Sequence, residues 1–322
     1  MSDLGSTPPE PEQNSLIEDA GAPGLPFETS ERFVPDAAPE PFNYFLLQTE
    51  PPLPARIPHL GHLFLLGALA ALGFVCATLL MLAAVHVHLF GAKDMTAAAA
   101  NVHYILGSET VIYLVMFAGS LLIFPLLWNK NFFTGIHWRG NTALQLGWHL
   151  PAISVACFVL ATLDELLLPG PAHAPIEDIF RTPGAAWLMF AFGVTFAPFF
   201  EEIIFRGFLL PALATAWDWA IERSTGKPRL PLDADGQPQW SVFAMVTASI
   251  ATSLPFALVH AEQQGHSIGP FVLLVTISLI LCAVRLKTHS LAASTLVHAC
   301  YNFMLFFLMM VSTGGFRHLD KI

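Results

Sequence analysis

The sequence predicts an all-α fold: a polytopic transmembrane helical bundle of about seven spans, preceded by a disordered N-terminal tail. Three observations predict it. Of the 322 residues, 54% are hydrophobic and only 12% charged, about half the charge of an ordinary soluble domain. After Pro58 the chain carries a series of apolar runs near the length needed to cross a bilayer, roughly 20 residues for a hydrocarbon core of about 30 Å. Up to and including Pro58 the composition is the reverse, with twelve of the 25 prolines and ten carboxylates set against Arg32 and Arg56.

That leading stretch, residues 1–58, is expected to form a disordered, acidic, Pro-rich tail, because proline this dense lacks backbone donors and blocks helices. It holds −8 of the net charge of −10. The acidity is therefore a property of the tail, not of the bundle. No basic stretch suggests a nucleic-acid partner. No basic segment leads into an apolar core within the first thirty residues, so the first span is expected to direct insertion itself.

Residues 59–322 form the expected bundle. The apolar runs fall at about 63–84, 104–128, 147–168, 185–200, 242–260, 271–284 and 291–311. Residues 201–216 still read as helix beyond the fourth run, and the connection 217–241 reads as a loop. With the N-terminus cytoplasmic, the inner connections collect Arg56, Lys130, Arg139, Arg223, Lys227, Arg229, Arg285 and Lys287. The outer ones collect Lys93, Arg181, Arg317 and Lys321. This excess favours an N-in orientation. The cysteines Cys76, Cys157, Cys282 and Cys300 form no CxxC pair and read as packing residues.

Ionisable groups inside spans carry the functional signal, since each costs about 2.5–3.5 kcal/mol at mid-membrane. Three clusters qualify. Glu201-Glu202 with Arg206 reads EExxxR, Phe256 with His260 reads FxxxH, and His298 with Asn302 reads HxxxN. Glu202 and Arg206 share one helix face and can pair. Glu201, rotated about 100° away, is left available. His298 and Asn302 share a face, and Phe256 lies one turn before His260, where it can wall the same cavity. Pro198 and Pro255 adjoin these positions and are expected to free the carbonyls of Val194 and Ala251, in places where membrane helices break beside a wet cavity. Glu109 in the second run reads as bonded to a neighbouring helix. Asp164, Glu165, His86, His88 and His149 read as interfacial.

The ordered set EExxxR, FxxxH, HxxxN over about residues 185–312 resembles the CPBP family, the CAAX proteases and bacteriocin-processing enzymes also called Abi. The resemblance implies an intramembrane endopeptidase, glutamic or metallo, of a bacterial inner membrane. Its substrate would be a membrane-associated peptide or protein, with a prenylated CAAX-type tail as one form. Carried over residue by residue, Glu201 is the general base for water, and His260 holds or polarises that water. His298 and Asn302 complete the cavity and stabilise the oxyanion, while Glu202 and Arg206 form the supporting pair. Hydrolysis of an amide needs just such a base and donor set. A cofactor is left open: either none, or a divalent metal such as zinc held by Glu201, His260 and His298, for which Asn302 is a poor additional ligand. Two other readings compete. One is a b-type haem protein with His260 and His298 as axial ligands. The other is a non-catalytic membrane scaffold or immunity protein.

Overall fold

The computed structural model of the protein describes residues 53–168, 170, 184–233 and 237–318. Nearly all of the predicted tail, and Arg181 and Lys321 of the outer connections, lie outside the described residues. Among the described residues the chain is helical, with one isolated antiparallel bridge between Leu232 and Pro238 and no strand.

Among the described residues seven helices are long and apolar enough to cross a membrane: α1 (Leu60–His86), α2 (Val102–Trp128), α3 (His149–Leu167), α4 (Ala185–Thr225), α5 (Val242–Ala261), α6 (Ile268–Thr288) and α7 (Leu291–Ser312). Between 17% and 39% of each span's apolar window is buried inside the protein. The remaining apolar faces have no protein to cover them, and lipid is the solvent that stabilises them. The protein is an integral membrane protein, and the span count matches the sequence reading.

Local chemistry sets the ends. Asn101 starts α2 by accepting from His103 N at 2.9 Å, and Asn129 ends it in the left-handed region at φ 49°. Ser241 starts α5 and Ser290 starts α7, each accepting the backbone N–H three residues on. Asp218 on α4 fixes the first of these caps by accepting from Ser241 N and Oγ at 2.9 and 2.5 Å.

Helices α1 and α2 pack as an antiparallel pair whose backbones touch. A Cβ on Gly73 would lie 2.8 Å from the Ile112 carbonyl oxygen, so only glycine permits this crossing. The core beside this pair is aromatic: Phe124, Trp128, Phe132 and Phe208 enclose one another with Phe200, Met116 and Leu291. A second core of Leu150, Cys157, Ile277, Leu281, Val297 and Tyr301 joins α3, α6 and α7. Between these two cores lies the polar cluster described below.

α4 departs most from expectation. The helix continues through the charged motif, as expected for residues 201–216, but it ends only at Thr225, inside the connection read as a loop. Two stretches, Phe192–Phe196 and Ile203–Leu209, are π-helical and bracket Ala197–Glu202. In the first, Ala197 N–H bonds Phe192 O, five residues back. The carbonyl next in that register belongs to Gly193, and its donor would be residue 198, a proline without an N–H. The carbonyl freed by Pro198 is thus that of Gly193, not Val194. The i−4 rule for α-helices gives way to the i−5 rule of the π segment.

At the end of the bundle that the sequence places inside, His137 occupies the turn between the short helices Phe132–Gly135 and Gly140–Leu146. Its φ is +58°, and its carbonyl accepts Leu291 N–H at 3.0 Å. Burial first, then the nearby cations Arg285, Arg139, His289 and Lys130, hold the imidazole's pKa down to about 3. A histidine neutral when folded but protonated when unfolded contributes stability fully above its unfolded pKa near 6.5, and loses it as pH falls toward about 3. Melting of detergent-solubilised protein is expected to turn acid-labile across that window. His137→Asn, which tolerates the left-handed backbone, is expected to flatten the dependence.

Candidate active site

The EExxxR motif lies on the α-helical turn Ala197–Glu202 and the π turn that follows it. Glu202 and Arg206 are both fully buried and meet at 2.9 Å between Oε1 and Nη1, the pairing expected from their spacing. The guanidinium is held further by α6. Its Nη2 donates to the Ser278 Oγ at 2.7 Å and to the Ser278 carbonyl at 3.2 Å. Its Cζ stands 4.5 Å from the centroid of the Phe256 ring on α5, within cation–π range. One arginine thereby ties α4, α5 and α6 together.

Glu202 has a second task that helical spacing does not announce. Its Oε1 also faces His298 Nδ1 of α7 at 3.1 Å. A carboxylate only accepts here, so the assignment that fits puts the hydrogen on Nδ1 and turns Nε2 the other way. That nitrogen stands 3.7 Å from Glu201 Oε2. On α5, His260 Nδ1 lies 2.8 Å from the carbonyl of Phe256 one turn earlier. The same logic makes Nδ1 the donor and aims Nε2 at Glu201 Oε1, also 3.7 Å away. Phe256 packs between the two imidazoles, with ring centroids 5.0 Å from His260 and 5.8 Å from His298.

Glu201, Glu202, Arg206, Phe256, His260 and His298 are therefore brought together. Asn302 stands apart from Glu201. Its Nδ2 donates at 2.8 Å to Gly193 O, the carbonyl that Pro198 frees. Asn302 thus closes the backbone break and fastens α7 to α4. A Cβ on Gly193 would lie 2.8 Å from the Phe306 ring of α7, so any other residue there displaces that ring.

Three participants were not singled out from sequence. Ser278 is a lone hydroxyl in an apolar span, and nothing in its surroundings marks it. Gly193 is legible only once the π register is known. Tyr113 has a visible signal, since it lies four residues after Glu109. It donates to the Glu109 Oε1 at 3.1 Å. Glu109 was expected to bond a neighbouring helix, but the bond runs within α2. One hydrogen bond, worth about 0.5–1.5 kcal/mol, does not offset a carboxylate's insertion cost of about 2.5–3.5 kcal/mol. Glu109 is instead linked toward the cluster through Tyr113, whose ring stacks on Phe200, the residue before Glu201.

Among the described residues no group of three or more His, Cys, Asp or Glu side chains is arranged to hold a metal ion. The two 3.7 Å approaches of Glu201 are made by different oxygens. The donor set as placed does not fit the Glu201/His260/His298 metal site, and no chemical step is derived through one.

Fold and cluster define a class: a seven-span helical membrane protein with a glutamate–histidine cluster among its helices. Residues 183–304 match the family model described as Type II CAAX prenyl endopeptidase Rce1-like. Over this segment the chain is similar to the CAAX protease family that the three motifs resemble, and the match supports a membrane endopeptidase of that general type. None of the curated proteins matches the chain, and neither does any solved structure.

Removing Arg206 leaves Glu202 charged and uncompensated in a dry interior, a loss of about 3–5 kcal/mol. Arg206→Gln is expected to lower the melting temperature sharply in detergent. Arg206→Lys is expected to recover part of it, keeping the charge but not the fork to Ser278.

Proposed function

We propose that the protein hydrolyses a peptide bond of a membrane-associated substrate, using water activated by Glu201. The convergence of two imidazole Nε2 atoms on one carboxylate, each at 3.7 Å, carries this reading. That separation is too long for a direct hydrogen bond, and it leaves the carboxylate and both imidazole nitrogens able to hold one water lying beside them.

In the proposed sequence Glu201 takes a proton from water as the oxygen attacks the scissile carbonyl carbon. His260, its ring locked by the Phe256 carbonyl, orients the water. His298, anchored by Glu202, turns Nε2 toward the cavity and stabilises the oxyanion when that nitrogen carries a proton. Asn302 supports this face of α7 through α4. The proton on Glu201 then passes to the nitrogen as the C–N bond breaks, and the carboxylate is restored. Glu202, Arg206 and Ser278 hold the geometry and do not touch the reacting atoms.

The substrate is inferred to be CAAX-type, with an apolar prenyl tail. A groove of about 380 Å³ between α2 and α4 supports this. It is lined by Leu106, Gly107, Thr110, Leu188, Phe192 and Phe196, and an isoprenoid fits such a lining by burial alone. The Lys/Arg bias supports a cytoplasmic N-terminus, and the motif resemblance supports a bacterial inner membrane. The haem alternative gains no support, because Glu201 lies where a porphyrin plane between His260 and His298 would sit. Nothing supports the scaffold alternative over catalysis.

The test is cleavage of a farnesylated CAAX peptide by purified protein in detergent. Glu201→Gln and His260→Ala are each expected to lower the rate by about 10²–10⁴-fold while the protein still inserts and purifies. Full activity in Glu201→Gln would remove the proposal.

A further inference from the structure

Glu109 is an ionisable group beside the cavity that the hydrolytic sequence leaves without a task. It sits on α2, the helix that lines the apolar groove through Leu106, Gly107 and Thr110. It is half-buried, and its Oε1 is held at 3.1 Å by the Tyr113 hydroxyl. Tyr113 is itself fixed, with its ring stacked on Phe200 at 4.7 Å and 14°. Phe200 directly precedes Glu201, so this stack sets α2 in register with the proposed base.

We propose that Glu109, held by Tyr113, is the station for the scissile nitrogen: it accepts the substrate's N–H before cleavage and receives the ammonium group afterwards. The inference rests on the peptidase reading and deepens it by assigning the amine side of the site. An amide entering a cavity among helices brings an N–H that must find an acceptor, since leaving it unpaired is costly. Of the groups already assigned, only Glu201 reaches the nitrogen, and it does so as a proton donor, while Arg206 is engaged by Glu202 and Ser278.

Cleavage then creates a charge. A C–O bond forms from water, the C–N bond breaks, and Glu201 returns its proton to nitrogen. The new acid ionises and the new amine takes up a proton, giving a carboxylate and an ammonium, as expected for an α-amino group at neutral pH. An ammonium in a low-dielectric cavity needs a counter-charge. Glu109 supplies it on the helix that leads to lipid.

The experiment uses the full-length protein and a farnesylated peptide ending Cys-Val-Leu-Ser, with inhibition by the released tripeptide Val-Leu-Ser and by its N-acetyl form. Wild type is expected to bind the free-amine tripeptide about tenfold more tightly than the acetylated one, the difference one charged hydrogen bond makes. In Glu109→Gln, which keeps an acceptor for Tyr113 but loses the charge, the ratio is expected to fall toward one. In Tyr113→Phe, which keeps the stack on Phe200 but releases Glu109, it is expected to fall partway. A general structural defect would weaken both tripeptides alike and leave the ratio unmoved. An unchanged ratio in Glu109→Gln, or in Tyr113→Phe should the first variant not purify, overturns the station and leaves the peptidase reading standing. A wild type that cleaves no farnesylated peptide contradicts the peptidase reading itself, and this inference with it.

Discussion

The buried oxygen Glu202 Oε1 organises this protein. It receives Arg206 Nη1 at 2.9 Å and faces His298 Nδ1 at 3.1 Å, so one atom links α4 to α7 and, through the arginine, to α5 and α6. A full negative charge in such a place is tolerable only because a guanidinium and an imidazole N–H satisfy it. The same constraint determines what lies next door. With Glu202 occupied, the adjacent Glu201 is left to face the two Nε2 atoms. The proposed chemistry depends on this division of labour between neighbouring carboxylates.

The backbone of α4 makes that division compatible with a spanning helix. A regular helix through 192–209 would hand the carbonyl freed by Pro198 to Val194. The π register moves it to Gly193, where Asn302 reaches it at 2.8 Å. The motif residue Asn302 therefore has a definite structural partner. His298 lies one turn before Asn302 on the same helix, so this bond also helps set where His298 stands. π segments recur at functional sites because an extra residue in a turn redirects side chains without ending the helix.

Much of this was legible in the sequence. The spans followed from apolar run length, and the three motifs from charges placed where lipid makes them expensive. The Glu202–Arg206 pair followed from i,i+4 geometry. What was not legible depends on contacts between helices. Ser278 carries no signal until Arg206 is placed against α6. The second partner of Glu202 depends on how α7 crosses α4. Glu109 was assigned to a neighbouring helix, yet it bonds within α2 to Tyr113, and only the packing of Tyr113 on Phe200 brings the pair to the cavity. The end of α4 was placed early: residues 201–216 read as helix, but the helix runs on to Thr225, into the connection read as a loop.

The central claim, that water attacks directly while Glu201 acts as a base, is tested by a single turnover in ¹⁸O-labelled water with enzyme in excess over a farnesylated peptide. Mass spectrometry of the new C-terminal carboxyl is expected to find one ¹⁸O atom per product molecule and none in the Glu201 side chain. Unlabelled product in the first turnover, with ¹⁸O appearing in Glu201, would mean that the carboxylate attacks the substrate itself, and would contradict the account.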